Sequence, residues 1–211
     1  MMCLILKSNG CSHLQYDRQA IFPLVKKVFK TGVVKTLQGT KCSLRPLSRE
    51  DIPHLMKPVN DIKPRKTLRN VLPMVEGHIE RMIEIMERCP YPTSIIFGIE
   101  TDGKLIGLTS LDKINWISRN AYISIAIYDT FWGKEIGEEA TRLLLEYAFE
   151  YLNLYKINLE VYEYNERAIK LYKKIGFKEE GKLRENNLRH EERHDVIIMG
   201  MTAEEFSREK R

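Results

Sequence analysis

The 211-residue chain lacks the features that mark membrane proteins and disulfide scaffolds. No apolar run approaches the roughly 20 residues of a membrane-spanning helix. The opening residues 1–6 are apolar, but no basic region precedes them and no small-residue cleavage site follows, so we expect no signal peptide and a cytoplasmic protein. The four cysteines show no C-x-x-C spacing, so we expect reduced thiols and no metal site.

The main part of the chain, residues 41–211, also has no excess of positive charge. Six of the 34 basic residues but only one of the 29 acidic residues lie in residues 1–40, so the net charge of +5 belongs to this segment. Residues 41–211 are neutral, which argues against a nucleic-acid surface there. Within the basic segment, residues 23–31 predict a short amphipathic helix that begins at Pro23 and stops at Gly32. Docking of this segment on RNA and packing on the domain both stay open.

From Lys41 onward, the hydrophobic pattern predicts one compact α/β domain over residues 41–201, followed by a short helical tail over 202–211. Ser48 with Asp51, and Thr202 with Glu205, predict capped helix starts. We expect a mixed, mostly antiparallel twisted sheet with helices on both faces. The predicted strands are 41–47, 94–100, 105–115, 120–128, 156–163, 177–183 and 192–201, and the predicted helices are 48–59, 67–89, 136–152 and 166–175.

Four segments in order make the domain recognisable: LRPLSREDI, FWGKEIGEEA, NERAIKLYKKIGF with EEGKLRE behind it, and RHDVIIMGM. Together they resemble the Gcn5-related N-acetyltransferase (GNAT) superfamily, and more narrowly its branch of ribosomal-protein N-terminal acetyltransferases and spermidine acetyltransferases. The resemblance covers residues 41–201. It implies the acyl-CoA N-acyltransferase fold and an enzyme that transfers an acetyl group from acetyl-CoA to an amine, without a metal.

The resemblance also implies a turn, Q/R-x-x-G-x-G/A, whose backbone N–H groups hold the CoA pyrophosphate at a helix start. Trp132 replaces the first basic or amide residue, Glu135 replaces the middle glycine, and Glu138 replaces a serine or threonine. We expect Glu135 to keep ordinary helical dihedral angles. Two interpretations stay open: both acids face solvent, or they weaken CoA binding. The matching positions are Trp132, Gly133, Lys134, Glu135, Ile136, Gly137 and Glu138.

Two further segments complete the site that the resemblance implies. The main chain of Ile125, Ala126 and Ile127 matches the strand that pairs with pantetheine, and a bulge N–H there can polarise the thioester carbonyl. Asn165 matches an asparagine that binds the same arm, although helix capping alone explains it. Tyr172, two helical turns later, matches the general acid that protonates the CoA thiolate, and a phenol with a pKa near 10 suits this role. A core aromatic is the alternative for Tyr172.

The general base is not assigned by the sequence. Tyr122 stands where many relatives carry an acid, and Glu163, His194 and Asp195 are substitutes for that acid. For the acceptor, a peptide or protein α-amine is our first interpretation. A polyamine is the alternative, which would need an acidic cleft such as the row Glu76, Glu80, Glu84 and Glu87. A non-catalytic CoA-binding module and a homodimer also stay open.

Overall fold

The computed structural model describes residues 36–60, 75–89, 91–189 and 191–209, with only the backbone at 57–60. These ranges form one eight-stranded sheet and five α-helices. The predicted helix at 23–31 and the first part of the one at 67–89 lie outside the described residues. The strands are β1 Leu37–Gln38, β2 Ser43–Pro46, β3 Ile95–Thr101, β4 Lys104–Asn115, β5 Asn120–Ile127, β6 Lys156–Tyr162, β7 Lys178–Arg189 and β8 Glu192–Thr202. The helices are α1 Ile52–Asn60, α2 Glu76–Arg88, α3 Ile136–Glu146, α4 Glu166–Ile175 and α5 Ala203–Glu209.

The sheet has the order β1-β2-β3-β4-β5-β6-β8-β7, and every neighbouring pair is antiparallel except β5 and β6. The predicted mixed, mostly antiparallel sheet is therefore confirmed. The parallel pair is short, because its register runs only from Asn120 opposite Lys156 to Tyr122 opposite Asn158. Beyond Tyr122 the two strands separate, which opens a gap in the middle of the sheet.

Helices cover both faces of the sheet, and strand alternation decides which side chains meet them. The larger apolar cluster lies against α3, α4 and α5 and includes Ile157, Leu159 and Val161 of β6. The smaller cluster lies against α1 and α2 and includes Leu55, Ile79 and Ile83. Because successive strand residues point to opposite faces, Asn158, Glu160 and Tyr162 of β6 face the α1/α2 side.

Local signals in the sequence set most helix ends. Ser48 and Asp51 form the predicted capping box ahead of α1. Gly176 ends α4 in the left-handed region, with φ of 109°. The helix expected to reach residue 152 is α3, continued by a π turn at Tyr147–Tyr151.

The last hairpin differs from the prediction. We expected its first strand to end at residue 183, but β7 continues to Arg189, and after a register shift between Leu183 and Asn187 its last residues pair with β8 again. Most side chains in the added part are polar and exposed, so no hydrophobic alternation marks this extension.

Candidate functional site

A turn between β5 and α3 gathers unused backbone donors. Within the described part of the chain, no residue accepts a hydrogen bond from the N–H groups of residues 133–137. The helical bonding begins only with the N–H groups of Glu138 and Glu139, which donate to the carbonyl of Glu135 at 3.2 and 3.3 Å. Five consecutive free donors at a helix N-terminus suit an anion, so the residues present fit a pyrophosphate.

Glu135 does not keep the helical dihedral angles that we expected. Its φ of 59° and ψ of 7° lie in the left-handed region, where glycine is the default residue. The family's glycine at this position therefore reflects a backbone requirement that Glu135 meets with strain. Its side chain is 62% exposed and forms an ion pair with Lys41. The hydrogen bond from Lys41 lowers the pKa of the Glu135 carboxyl, so the carboxylate stays ionised. The positive charge of Lys41 offsets its negative charge.

Glu138 is also neutralised by its neighbours. Its carboxylate contacts Lys174 Nζ at 2.6 Å and Arg142 Nη2 at 3.2 Å. The hydrogen bond from Lys174 lowers the pKa of Glu138, and that from Arg142 adds to it. The interpretation that both acids face solvent therefore holds for Glu135, whose side chain is 62% exposed, and is wrong for Glu138, whose side chain is 17% exposed. Both acids have cationic partners, which offset their charge beside the backbone donors.

Glu139, which the sequence analysis did not single out, connects the turn to the residues before β2. Its carboxylate accepts hydrogen bonds from the N–H groups of Thr40, Lys41 and Cys42 at 2.8, 2.6 and 2.8 Å. Burial of Glu139 opposes ionisation, but these bonds and that from the Thr40 hydroxyl lower its pKa to about 2. Because Lys41 belongs to the same segment, Glu139 positions the lysine that neutralises Glu135.

Trp132 occupies the position of the family's basic or amide residue, and its ring contacts a cation, the guanidinium of Arg167. Its indole N–H donates to the Ile127 carbonyl at 2.8 Å, so the ring ties the turn to the end of β5. The Arg167 guanidinium carbon lies 4.9 Å from the centre of the ring, a cation–π contact. Arg167 was missed by the sequence analysis. Its position two residues after the α4 cap Asn165 is the signal that could have drawn attention to it.

The main chain of β5 offers alternate residues to the gap between β5 and β6. The N–H of Tyr128 donates to the Ile106 carbonyl at 3.0 Å, so even-numbered residues of β5 hydrogen-bond to β4. The N–H and carbonyl groups of Ile125 and Ile127 therefore point toward the gap, whereas those of Ala126 point to β4. The register is regular across residues 122–127, so the bulge that we expected there is absent. The irregularity lies instead between Asp112 and Asn115 of β4.

Asn165 caps α4, and Tyr172 lies on the same helix two turns later. The Asn165 side-chain oxygen accepts a hydrogen bond from the Ala168 N–H at 3.3 Å, which confirms its capping role. Tyr172 is 7% exposed and packs against Phe177. Burial raises the pKa of the Tyr172 phenol to about 12, above the value near 10 that we expected, so the phenol is fully protonated at neutral pH. Leu171 lies close to Gly137, which places α4 beside the turn.

The three substitutes for a general base lie together at the β7–β8 hairpin. Lys182 Nζ contacts Asp195 at 2.6 Å, and this hydrogen bond lowers the pKa of Asp195. Glu163 accepts from the Asp195 N–H at 2.9 Å, and His194 lies 3.9 Å from Glu163. The lowered pKa makes Asp195 a weak base, since a good base has a pKa near the working pH.

A second group of polar residues, which the sequence analysis missed, lies where β5 and β6 separate. Asp112 of β4 accepts hydrogen bonds from the hydroxyls of Ser110 and Ser124 at 2.5 and 3.3 Å. Asp112 is the register partner of Tyr122, and Glu160 of β6 faces the same side of the sheet. A signal for this group was present in the sequence, because Asp112 and Glu160 both occupy polar positions in strands that alternate apolar and polar residues.

Residues 42–178 match the family described as the acetyltransferase (GNAT) domain. The chain belongs to the GNAT family. As a GNAT protein it is an acetyl-CoA-dependent N-acetyltransferase, which decides against the non-catalytic module. No helix in the described part of this GNAT chain is long and apolar enough to cross a membrane.

Several relatives of this GNAT chain carry more specific names. It is 33% identical over 148 residues to the spermidine N(1)-acetyltransferase of Escherichia coli (strain K12), covering 66% of this chain and 74% of that protein. It is 34% identical over 113 residues to the putative ribosomal N-acetyltransferase YdaF of Bacillus subtilis (strain 168), covering 54% and 62%. The crystal structure of spermidine N-acetyltransferase from Vibrio cholerae in complex with CoA and spermine superimposes with a TM-score of 0.74 at 27% identity, covering 80% of this chain and 99% of that one.

Lys41→Ala is expected to weaken CoA binding to this GNAT enzyme about 3-fold at low salt. If this turn holds the CoA pyrophosphate, removing the Lys41 ammonium exposes the pyrophosphate to the charge of Glu135, and for an exposed group this effect is modest and screened by salt. The double variant Lys41→Ala/Glu135→Gly should recover the wild-type affinity, because it removes both charges. Titration calorimetry with CoA at two salt concentrations measures this, with exposed Lys104→Ala as the control. A loss that persists in the double variant contradicts the account.

Proposed function

We propose that the acceptor of this GNAT enzyme is a small aliphatic polyamine of the spermidine type. The observation that carries the proposal is a row of carboxylates and aromatic rings on the α1/α2 side of the sheet, which we call the acceptor face. The row crosses β4, β5 and β6 and continues one turn beyond. Its members are Asp112, Tyr122, Glu160, Tyr162 and Tyr164.

The chemistry of this row suits a chain with several ammonium groups. Carboxylates pair with ammonium groups, aromatic faces attract them, and the rings also offer apolar surface to methylene chains. Neighbours on one face of a strand recur about every 7 Å, so Glu160 and Tyr162 can serve successive parts of an extended amine. Tyr162 stacks on Tyr164 at 5.3 Å, and Tyr164 contacts His194 at 4.8 Å. A compact α-ammonium would use only part of this row.

The row on α2 that we expected to supply an acidic cleft contributes less. Glu87 makes two hydrogen bonds of 3.0 Å with Arg49, and Glu84 pairs with Arg88 at 3.1 Å. Two of the four acids are therefore matched by arginines. The acidic character that supports a polyamine acceptor comes from the sheet rather than from this helix.

For the acetyl donor, we propose that the N–H groups of residues 133–137 bind the CoA pyrophosphate, with Arg167 as an added cation. The gap-facing main chain of Ile125 and the N–H of Ile127 pair with the pantetheine arm, since the Ile127 carbonyl already accepts from Trp132, and Asn165 is a further partner for the arm. This arrangement positions the thioester at the point where β5 and β6 separate. The acceptor amine, bound on the acceptor face, then approaches the thioester from the α1/α2 side of the sheet.

The acceptor reacts as a free amine, so its ammonium first gives a proton to a carboxylate of the acceptor face. Asp112 and Glu160, on either side of Tyr122, are the acids placed for this step. The amine nitrogen then bonds to the thioester carbon, and the carbon–sulfur bond breaks. Tyr172 donates its phenolic proton to the departing CoA thiolate, and the second proton that the amine nitrogen loses as the amide forms restores the Tyr172 phenol.

A peptide α-amine is the second candidate acceptor. The similarity to the putative ribosomal N-acetyltransferase favours it. That similarity covers 54% of this chain, whereas the similarity to the spermidine enzyme covers 66%. A single α-ammonium would reach the carboxylates of the acceptor face but leave Tyr162 and Tyr164 without a role.

Incubation with acetyl-CoA and two acceptors in parallel, spermidine and a panel of short peptides with free N-termini, tests the proposal. We expect kcat/KM for spermidine to exceed that for any peptide by at least about 100-fold, because each additional ion pair or cation–π contact adds to binding. Asp112→Asn should lower kcat/KM for spermidine. If the enzyme acetylates peptides but not spermidine, the polyamine proposal is wrong and a peptide α-amine is the acceptor.

A further inference from the structure

A bulge in β4 redirects one lysine toward the acceptor face. Between the register pairs Asp112 with Tyr122 and Asn115 with Asn120, β4 has two residues where β5 has one. Lys113 takes a left-handed conformation with φ of 51°, while Ile114 beside it is buried in the larger apolar cluster. Bulges commonly re-aim a side chain beside a functional site, and a strained non-glycine residue persists only where its surroundings hold it.

The redirected ammonium of Lys113 is held by two residues of the acceptor face. Its Nζ lies 4.6 Å from the centre of the Tyr122 ring and 3.7 Å from the Glu160 carboxylate. An aromatic face together with a carboxylate is an arrangement that recognises ammonium groups in general. We call Tyr122 and Glu160 the ammonium cage. The Lys113 side chain is 59% exposed, so it can leave the cage without disturbing the core.

The position of the cage matches the place where an acceptor amine has to arrive. Tyr122 is the last residue of β5 that pairs with β6, opposite Asn158. Glu160 is the next residue on that face of β6, on the strand that diverges. The cage therefore stands at the apex of the gap, on the side opposite α3 and α4.

We infer that the ammonium cage is the site of the reacting ammonium group of the acceptor, and that Lys113 is an internal competitor for it. This inference rests on the proposed acceptor face. Every acceptor has to displace the Lys113 ammonium before it can bind, so Lys113 raises KM for all acceptors by a similar factor. It does not change kcat, because it has left the cage in the productive complex.

The test compares Lys113→Met with Lys113→Arg. Methionine removes the charge but keeps an unbranched side chain at the same strained position, while arginine retains the cation. An exposed ion pair and an exposed cation–π contact are both weak, so KM should fall about 3- to 10-fold in Lys113→Met. In Lys113→Arg it should stay within about 2-fold of wild type. The acceptors are spermidine, propylamine and a short peptide, and kcat and CoA affinity should not change.

The outcomes separate this inference from the polyamine proposal. If the wild type acetylates the peptide but not spermidine, the polyamine proposal fails, and the cage is judged on KM for the peptide. A fall in KM for every amine that the wild type uses, reversed by adding Tyr122→Leu to Lys113→Met, supports the cage. An unchanged or higher KM in Lys113→Met, or an equal fall in Lys113→Arg, overturns the competitor role.

Discussion

Tyr172→Phe is expected to lower kcat about 100-fold while leaving the affinity for CoA within about 2-fold. Removing a general acid commonly costs between 10² and 10⁴ in rate, and the Tyr172 phenol is the general acid that we propose. Stability should change little, because the ring stays packed against Phe177. Steady-state kinetics and CoA calorimetry on the same samples measure both effects.

The pH profile adds a second readout for Tyr172. Burial raises the pKa of its phenol to about 12, so the acid stays protonated and active throughout the accessible alkaline range. We therefore expect no loss of kcat up to about pH 10 from this group. Tyr147→Phe is the matched control, because Tyr147 is also a buried tyrosine whose pKa burial raises to about 12, but it lies on the turn after α3. Equal losses of kcat in the two variants contradict the role of Tyr172.

Gly107→Ala is expected to lower the melting temperature by about 2 to 12 °C. A Cβ at residue 107 would lie 2.3 Å from the Ala126 carbonyl oxygen, which belongs to the backbone and cannot rotate away. Overpacking of this kind commonly costs about 1–3 kcal/mol, and each kcal/mol shifts the melting temperature by about 2–4 °C in a protein of this size. Thermal unfolding followed by circular dichroism measures the shift.

The same variant should also affect binding, because the strand that is pushed aside carries Ile125 and Ile127. We expect CoA affinity to fall together with stability. Gly181→Ala on β7 is the matched control, since a Cβ there meets nothing within 4 Å. It should leave the melting temperature within about 1 °C. A tolerated Gly107→Ala would show that β4 and β5 are not in the close contact described here.

Patterns between neighbouring residues predicted much of this fold. The capping box of Ser48 and Asp51 and the cap at Asn165 depend on residues three apart, and both are confirmed. The order of such elements was enough to expect the sheet and its helices.

Local sequence patterns could not predict the cations near the turn between β5 and α3, Lys41 and Arg167. Lys41 and Glu135 are 94 residues apart, and Arg167 reaches Trp132 only because α4 packs beside α3. Their meeting depends on sheet order and helix placement, which no local pattern encodes. The left-handed backbone of Glu135 was hidden for a different reason. A glutamate is a good helix-start residue, and its identity gives no sign of a positive φ.

The acceptor face was missed because each of its residues is ordinary in its own strand. Asp112 and Glu160 look like solvent-facing acids of two strands, and they lie 48 residues apart in sequence. Only the short parallel pairing of β5 with β6 brings them to the same apex. The bulge that turns Lys113 toward Tyr122 also depends on pairing with β5, so the sequence alone gives no sign of this contact.

The most direct test of the central claim is a crystal structure of the enzyme with CoA. We expect the pyrophosphate oxygens to lie within hydrogen-bonding distance, about 3 Å, of several N–H groups of residues 133–137. Glu135 should remain paired with Lys41 and turned away from the phosphates, with Arg167 on their other side. A pyrophosphate bound elsewhere, or one that breaks the Glu135–Lys41 pair, would contradict the claim that this turn holds CoA with its acids neutralised.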